Sequence, residues 1–157
     1  MKLFAAPSAR QLNSGLTILR VITGVVFTAH GAQKLFSWGP AAVAAGFEST
    51  GIPLAGIVGP LVGIGEFFGG MALVLGLLTR PVAAALSLIM LGAIWYAHLP
   101  AGFFLPNGYE FVLTLFGSAA LFTLVGGGAW SVDAVIAKRR GEPLAAPALQ
   151  GRPARAA

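Results

Sequence analysis

The sequence predicts an all-α fold, an integral membrane four-helix bundle with a short surface helix in its first outer loop. Three observations support this fold class. Hydrophobic residues make up 57% of the 157 residues, and charged residues only 10%. In an average soluble domain about a quarter of the residues are charged. Residues 16–125 contain only six charged side chains and two histidines, separated by long apolar runs. Ionisable groups inside a bilayer are costly and usually serve a function, so these few side chains are the candidates for a site.

Four apolar runs predict four membrane-spanning helices, at residues 16–36, 55–78, 82–99 and 109–125. Each is close to the roughly 20 residues that cross a hydrocarbon core of ~30 Å. Asn13 or Ser14 is expected to cap the first helix. The tight turn at residues 79–81 makes the second and third spans an antiparallel hairpin. Two prolines and an Asn-Gly pair between residues 100 and 108 separate the third span from the fourth.

The loop between the first two spans is expected to contain the surface helix. Pro40 suits a first helical turn, and Val43 and Phe47, four positions apart, give the helix one apolar face. Such a helix would lie on the outer surface of the bundle as a lid. After the last span, the glycines at positions 126–128 interrupt the helix, and Ser131 is expected to cap a short final helix that ends in Lys138–Arg139–Arg140.

The chain is therefore expected to have three parts. These are a cytoplasmic N-terminal segment (residues 1–13), a four-helix transmembrane domain (residues 14–137) and a basic, disordered tail (residues 138–157). The first span is longer than the apolar core of a secretion signal. We expect it to remain as an uncleaved anchor, with cleavage near residues 29–32 as the alternative.

The net charge of +5 is concentrated on one side of the predicted membrane. Basic residues precede the first span, occupy the turn at Arg80 and follow the last span, which places both termini in the cytoplasm. The expected location is the bacterial inner membrane, in contact with the lipid bilayer. The basic face with interleaved aromatic residues that binds nucleic acid is absent from the pattern, so no nucleic-acid partner is expected. The lack of cysteine excludes thiol chemistry carried by this chain.

Helical periodicity places the candidate residues on shared faces. At 100° per residue, one arc of roughly 80° on the first span collects its polar groups. The members of this arc are Arg20, Thr23, Phe27, His30 and Lys34. On the second span Glu66 shares an arc of roughly 60° with the glycines at 59, 63 and 70, so it is expected to face another helix. The glycine pairs 59/63 and 65/69 fit packing within the chain and a dimer interface equally well.

The candidate residues are also predicted to lie at similar depths. A rise of 1.5 Å per residue puts one ionisable group from each span within about 6 Å of depth, in the outer half of the membrane. These groups are His30, Glu66, His98 and Glu110. If their faces converge, they form one polar site. In the fourth span, Glu110 aligns with Thr114, Gly117 and Leu121.

Each candidate in the first two spans also has a structural interpretation. Glu66 is either a proton acceptor or a ligand for a polar headgroup, or it is the structural partner of His30, Lys34 or Arg20. His30 and Lys34 either bind a carbonyl or anionic ligand, or Lys34 extends outward while His30 bonds to a backbone carbonyl. Arg20 is expected to extend to the cytoplasmic surface.

The remaining candidates have similar alternatives. Glu110 either takes part in the site or caps the start of the fourth span, where the helix dipole favours a carboxylate. Trp95 is either an interface anchor or, with His98, part of the wall of a pocket for a ring-shaped ligand. Arg80 and Asp133 are expected to pair at the cytoplasmic surface. Metal binding is not expected, because the Glu-x-x-His pairs of carboxylate-bridged metal bundles are absent.

Several short motifs follow one another along residues 12–137. They are Leu19–Arg20 with Gly24, His30–Gly31–Ala32–Gln33–Lys34–Leu35, Gly51–Ile52–Pro53, Gly65–Glu66 with Gly69–Gly70, the stretch 75–80, Glu110, and the stretch 126–133. In this combination they resemble the DoxX family of small bacterial membrane proteins. The resemblance implies a four-helix membrane bundle with an oxidoreductase role. Family members are associated with quinone-linked thiosulfate oxidation, oxidative-stress complexes, and detoxification of aromatic compounds or quinones.

The resemblance also implies that certain motif positions are functional. They are Arg20, His30, Lys34, Glu66 and Arg80, with Glu110 and Asp133 in addition. The preferred hypothesis is a subunit of a quinone-linked redox system that admits the quinone from the bilayer. The expected quinone-binding residues are Lys34, His30, Trp95 and His98, and the expected catalytic residues are Glu66, His30 and Glu110.

The hypothesis requires an electron donor outside this chain. The sequence has no dinucleotide-binding motif, so electrons must come from a bound cofactor or from a soluble or membrane redox partner. One alternative is a non-enzymatic membrane anchor or assembly factor for soluble partners. Another is a small transporter or proton path. A homo-oligomer is compatible with all three.

Overall fold

The computed structural model describes residues 6–142, and within that range all regular secondary structure is helical. In chain order the helices are α1 (Ala9–Ala32, continued by a π-helical stretch, Gln33–Trp38), α2 (Pro40–Ser49), α3 (Ala55–Leu75), α4 (Thr79–Ala93, continued by a π-helical stretch, Ile94–His98, and a 3-10 turn, Leu99–Ala101), α5 (Glu110–Val125) and α6 (Val132–Arg139). The predicted all-α membrane bundle is confirmed, as is the short surface helix, which is α2.

Three continuous helical segments of the described range are long and apolar enough to cross a membrane: Ala9–Trp38, Ala55–Leu75 and Thr79–Ala101. The fourth predicted span corresponds to α5, which is apolar but only 16 residues long. The bundle has two ends. We call the end where α1 finishes the Trp38 end, and the end that holds the α3–α4 turn and α6 the Trp130 end.

The first helix begins earlier than the sequence suggested. Its N-cap is Ser8, not Asn13 or Ser14, and Ser8 and Gln11 form a reciprocal capping box. Asn13 lies inside the helix and instead accepts a hydrogen bond from the Ala129 backbone N–H, 2.9 Å away. The N-terminal segment is therefore helical from Ala9, because the Ser8–Gln11 capping box satisfies backbone groups at its start.

The turn between α3 and α4 also differs in its bounds. α3 ends at Leu75, three residues before the predicted limit, because Gly76 adopts a left-handed conformation (φ 69°) that stops the helix. α4 begins at Thr79, since Pro81 fits within a first helical turn. At the C-terminus, Ser131 caps α6 as predicted. Lys138 and Arg139 form the end of α6, where the final helix was predicted to end, although both fall in the range 138–157 assigned to the basic tail. Residues 143–157 lie outside the described residues.

Glycines bring α1 and α3 into close contact. A Cβ atom on Gly24 would lie 2.7 Å from the Gly70 carbonyl oxygen, and one on Gly31 would overlap the backbone at Phe67. The glycines of the 59/63 and 65/69 pairs contact α2, α1 and α4 of this same chain. These pairs therefore serve packing within the chain, which answers the question that their spacing left open.

The remaining helices complete the bundle. α1 packs along α3, and α4 packs along α5. The contact between α3 and α4 joins these two helix pairs, whereas α1 touches α5 only lightly. The buried core lies mainly among α3, α4 and α5 with Phe27 of α1; its largest other members are Leu73, Leu86 and Phe122. Large apolar side chains such as Ile18, Leu88 and Leu124 point outward. This outward apolar surface is the one that contacts the lipid bilayer.

Candidate functional site

Lys34 and Glu66 form an ion pair inside the bundle. The Lys34 Nζ donates a hydrogen bond to the Glu66 Oε2, 2.5 Å away. The Glu66 side chain is 4% exposed and that of Lys34 is 15% exposed. Gly63, one turn before Glu66, leaves room for the Lys34 stem, since its absent Cβ would lie 3.3 Å from the Lys34 Cβ. Lys34 therefore turns inward, and Glu66 sits in the predicted glycine groove.

His30 lies one turn before Lys34 on α1, but at the surface of the bundle. Its side chain is exposed, and its ring centroid is 5.8 Å from that of Phe111 on α5. His30 thus marks the seam where α1 and α5 touch only lightly. The polar face predicted for α1 is divided in the structure, because Arg20, Thr23 and Phe27 are buried whereas His30 is not.

Glu110 and His98 bind backbone groups of the loop that connects α4 and α5. The Glu110 Oε1 accepts a hydrogen bond from the Leu105 backbone N–H at 2.9 Å. The His98 Nδ1 lies 2.9 Å from the Asn107 carbonyl oxygen. Neither side chain bonds to Lys34 or Glu66 within the described residues. Similar depth did not make these four groups one cluster, because both loop residues are held by nearby backbone.

The other candidate residues of the site face outward. Trp95, in the π-helical continuation of α4, is 68% exposed, a position that suits a membrane–water interface. On α5 the exposed face carries Thr114, Gly117 and Leu121, whereas the buried residues are Val112, Leu115, Ala119 and Phe122. Between residues 6 and 142 no three His, Asp or Glu side chains come close enough to hold a metal ion.

Arg20 does not extend to the cytoplasmic surface as expected. Its side chain is only 2% exposed, and its Nη1 donates to the carbonyl oxygens of Leu73 and Val74 at 2.9 and 2.8 Å. The last carbonyls of a helix lack partners within that helix and lie at the negative end of its dipole, so a buried cation is stabilised there. The signal that the sequence offered was Gly76, which ends α3 beside Arg20.

Asp133 does not pair with Arg80. Its two carboxylate oxygens accept hydrogen bonds from the backbone N–H groups of Leu78 and Thr79, at 2.7 and 2.8 Å. These are the first unsatisfied donors of α4, so Asp133 acts as the cap that α4 lacks in its own sequence. The Asp133 N–H also donates to the Gly76 carbonyl oxygen, which fixes α6 on the α3–α4 turn.

The open depression on the surface of the bundle is not lined by Lys34 or Glu66. It is lined by Glu48, Ile52 and residues 54–57, beside the end of α2. The exposed His30 side chain borders the α1–α5 seam.

Comparison with known proteins gives one family and several relatives. A family model described as DoxX matches residues 15–99. The "Uncharacterized membrane protein Rv3486" of Mycobacterium tuberculosis is 34% identical over 77% of this chain and 80% of its own. The "Putative oxidoreductase CatD" of Bacillus subtilis is 33% identical over 64% and 72%. The "Inner membrane protein YqjF" of Escherichia coli is 29% identical over 80% and 94%. No solved structure matches.

Proposed function

Because the chain belongs to the DoxX family, we propose that it is a subunit of a quinone-linked oxidoreductase or detoxification system in the bacterial inner membrane. The names of two relatives support this class and location, since CatD is called a putative oxidoreductase and YqjF an inner membrane protein. In the proposed orientation the Trp130 end faces the cytoplasm. Arg10, Arg80, Lys138 and Arg139 are all exposed at that end, in agreement with the positive-inside rule.

The observation that carries the proposal is the position of His30 beside the buried Lys34–Glu66 pair. An ammonium group has three donors, and the Glu66 Oε2 accepts one of them. The exposed His30 ring offers a further donor or acceptor at the seam. Polar groups that open sideways toward lipid suit a ligand that is itself dissolved in the membrane.

A quinone fits these residues chemically. It combines an apolar ring with two carbonyl acceptors, and the chain offers the His30 and Phe111 rings at the seam, with the Lys34 ammonium four positions after His30. When bound, a quinone supplies the capacity to accept two electrons and two protons. His30 and Lys34 would hold its carbonyl oxygens. Glu66, through its Oε2, would keep Lys34 protonated and oriented, so that the Lys34 ammonium is the local proton donor.

The other predicted residues have structural roles in this proposal. Glu110 and His98 hold the α4–α5 loop, and Trp95 stands at the membrane interface. Electrons would come from a soluble or membrane redox partner, because the sequence has no dinucleotide-binding motif.

The test is mass spectrometry of the organic extract from detergent-purified protein. We expect near-stoichiometric quinone with the wild-type chain, and loss of it in His30→Ala and Glu66→Gln. Glu110→Gln is the matched control, because it removes a carboxylate that bonds to loop backbone instead. The double variant Lys34→Met/Glu66→Met removes the ligand-binding groups without leaving a buried charge unpaired. Retention of quinone by both His30→Ala and this double variant would reject the site.

A second candidate is a non-enzymatic membrane anchor or assembly factor. The observation that favours it is that Lys34 and Glu66 satisfy each other, as a purely structural pair would. In that case the extract would contain only ordinary lipid in wild type and variants alike. A single soluble protein that co-purifies in constant ratio with the full chain would then support the anchor role.

A further inference from the structure

The Trp130 end carries cations that no carboxylate neutralises. Arg80, Lys138 and Arg139, which we call the basic triad, all have exposed side chains. The only ion pairs among residues 6–142 are Lys34–Glu66 and Arg140–Glu142, and the second is exposed, with its atoms 4.0 Å apart. The basic triad therefore has no partner in the described part of the chain.

The acidic residue at the α3–α4 turn is already occupied. Both carboxylate oxygens of Asp133 accept backbone N–H groups of the α3–α4 turn, so Asp133 is not free to pair with Arg80. The Arg80 side chain instead lies over the end of α5, since a Cβ on Gly126 would be 3.4 Å from the Arg80 Nε. This arrangement keeps an arginine at the level of the last turn of α5.

α6 is held at the same level and has an outward apolar face. Its N-terminus is fixed by Asp133 on the α3–α4 turn, and the Arg20 Nη2 donates to the Trp130 carbonyl oxygen at 2.8 Å. At 100° per residue, Val132, Val135 and Ile136 fall within an arc of roughly 100°, and all three are exposed. Trp130 is exposed beside them.

This combination is typical of a helix that lies in the membrane interface. Its apolar face would enter the boundary of the acyl chains, and cations at its end would meet lipid headgroups. Because the spans α1, α3, α4 and α5 place the edge of the bilayer at their own ends, α6 already stands where headgroups must be. The headgroup phosphate is the anion present at this level of the membrane, next to the basic triad.

We propose that the basic triad binds acidic phospholipids and selects them over zwitterionic ones. Arg80 and the α6 cations contact lipid headgroups at the same end of the bundle, while Trp130 and the apolar face of α6 contact the acyl chains next to them. The charge that carries the selection is positive and exposed, so the selection must weaken as salt rises. This site lies at the opposite end of the bundle from His30 and does not depend on what binds there.

The three tryptophans allow a direct test on the full chain. Trp130 lies at one end, and Trp38 and Trp95 lie at the other. The variant Trp38→Phe/Trp95→Phe keeps Trp130 as the only tryptophan, and Trp95→Phe/Trp130→Phe keeps only Trp38. Each is reconstituted in vesicles that contain brominated phosphatidylglycerol or brominated phosphatidylcholine. Bromine on the acyl chains quenches the fluorescence of the tryptophan that it contacts.

We expect stronger quenching of Trp130 by phosphatidylglycerol than by phosphatidylcholine at low salt, and equal quenching of Trp38 by the two lipids. Neutralising one cation of the triad, as in Arg139→Gln, should lower the lipid preference about fivefold. Arg140→Gln is the matched control, because its neighbour Glu142 already offsets that charge. Arg139→Lys should retain most of the preference, which separates loss of charge from loss of structure.

Two results would overturn the proposal. One is equal quenching of Trp130 by both lipids at low salt. The other is a preference that survives removal of all three triad cations in a variant with unchanged helical content. Either result would instead favour an acidic surface of a protein partner as the ligand of the basic triad.

Discussion

Arg20 of α1 donates a hydrogen bond to the Trp130 carbonyl oxygen, 2.8 Å away and 110 positions further along the chain. The same guanidinium also bonds to the end of α3. One side chain thus joins an early helix, a central helix and the segment that leads into α6. A bidentate, planar group is needed for this, and Arg provides it where Lys does not.

Replacing Arg20 should therefore destabilise the whole bundle. We expect Arg20→Met to lower the free energy of unfolding by about 3 kcal/mol, since hydrogen bonds to charged groups contribute ~1.5–3 kcal/mol each and helix-end carbonyls would lose their partner. Arg20→Lys should recover only part of this loss. Denaturant titration in detergent measures both. The exposed Arg10→Gln is the control and should change stability by less than about 0.5 kcal/mol. Equal losses at positions 10 and 20 would contradict the assignment.

The Lys34–Glu66 pair should show strong coupling in a double-mutant cycle. Lys34→Met leaves a buried carboxylate without a partner and should cost about 3–5 kcal/mol of unfolding free energy. Lys34→Met/Glu66→Met replaces both charges by apolar groups and should return to within about 1 kcal/mol of wild type. The cycle is measured by thermal or denaturant unfolding in one detergent. Additive effects of the two single changes would mean that the pair is not formed.

Glycines on α1 and α5 should respond to alanine with opposite signs. Gly31→Ala places a methyl group against the Phe67 backbone and should destabilise the α1–α3 contact by about 1–3 kcal/mol. Gly117 has no atom within 4 Å of its missing Cβ, so Gly117→Ala should raise stability by about 0.5–1 kcal/mol through helix propensity. The pair is compared in the same unfolding assay. A destabilising Gly117→Ala would instead reveal a neighbour on that face.

Asp133 should act on α4 through backbone donors rather than through Arg80. Asp133→Ala removes the acceptors for the Leu78 and Thr79 N–H groups and should cost about 1–2 kcal/mol of stability. Arg80→Gln should have little effect on folding, because its side chain is exposed. The swap Arg80→Asp/Asp133→Arg should be at least as unstable as the single changes combined. A swap that restores wild-type stability would establish the ion pair that the structure lacks.

The buried face of a helix was predictable from the sequence where small residues recur at helical spacing. Glu66 lies in its glycine groove because the small residues at 59, 63 and 70 recur on one side of α3. Neighbouring helices can approach α3 closely on that side. The direction of Lys34 was not predictable from α1 alone. It turns inward because Gly63, on another helix, leaves space for its stem.

The polar side chains near helix ends were harder to assign. Depth alone grouped Glu110 and His98 with Glu66, but each is held by a loop backbone group whose position depends on tertiary structure. Arg20 was misjudged for a related reason. Its partners are carbonyl groups, which have no signature in the side-chain pattern.

The short length of α5 has a consequence for the membrane around it. Sixteen residues span only ~24 Å, less than a typical ~30 Å hydrocarbon core. The loop before α5 satisfies its own backbone through the pairs Tyr109–Gly102 and Glu110–Phe103, and it exposes the Phe104 ring to 76%. Because these pairs satisfy part of the loop backbone, they lower the cost of placing the loop near the level of the acyl chains. Across the lightly packed seam from α5, α1 and its continuation extend over 30 residues. The bilayer must therefore differ in thickness between the two helices. A mismatch between helix length and bilayer thickness costs a fraction of a kcal/mol per ångström. This fold is thus most stable where the bilayer is locally thin beside α5.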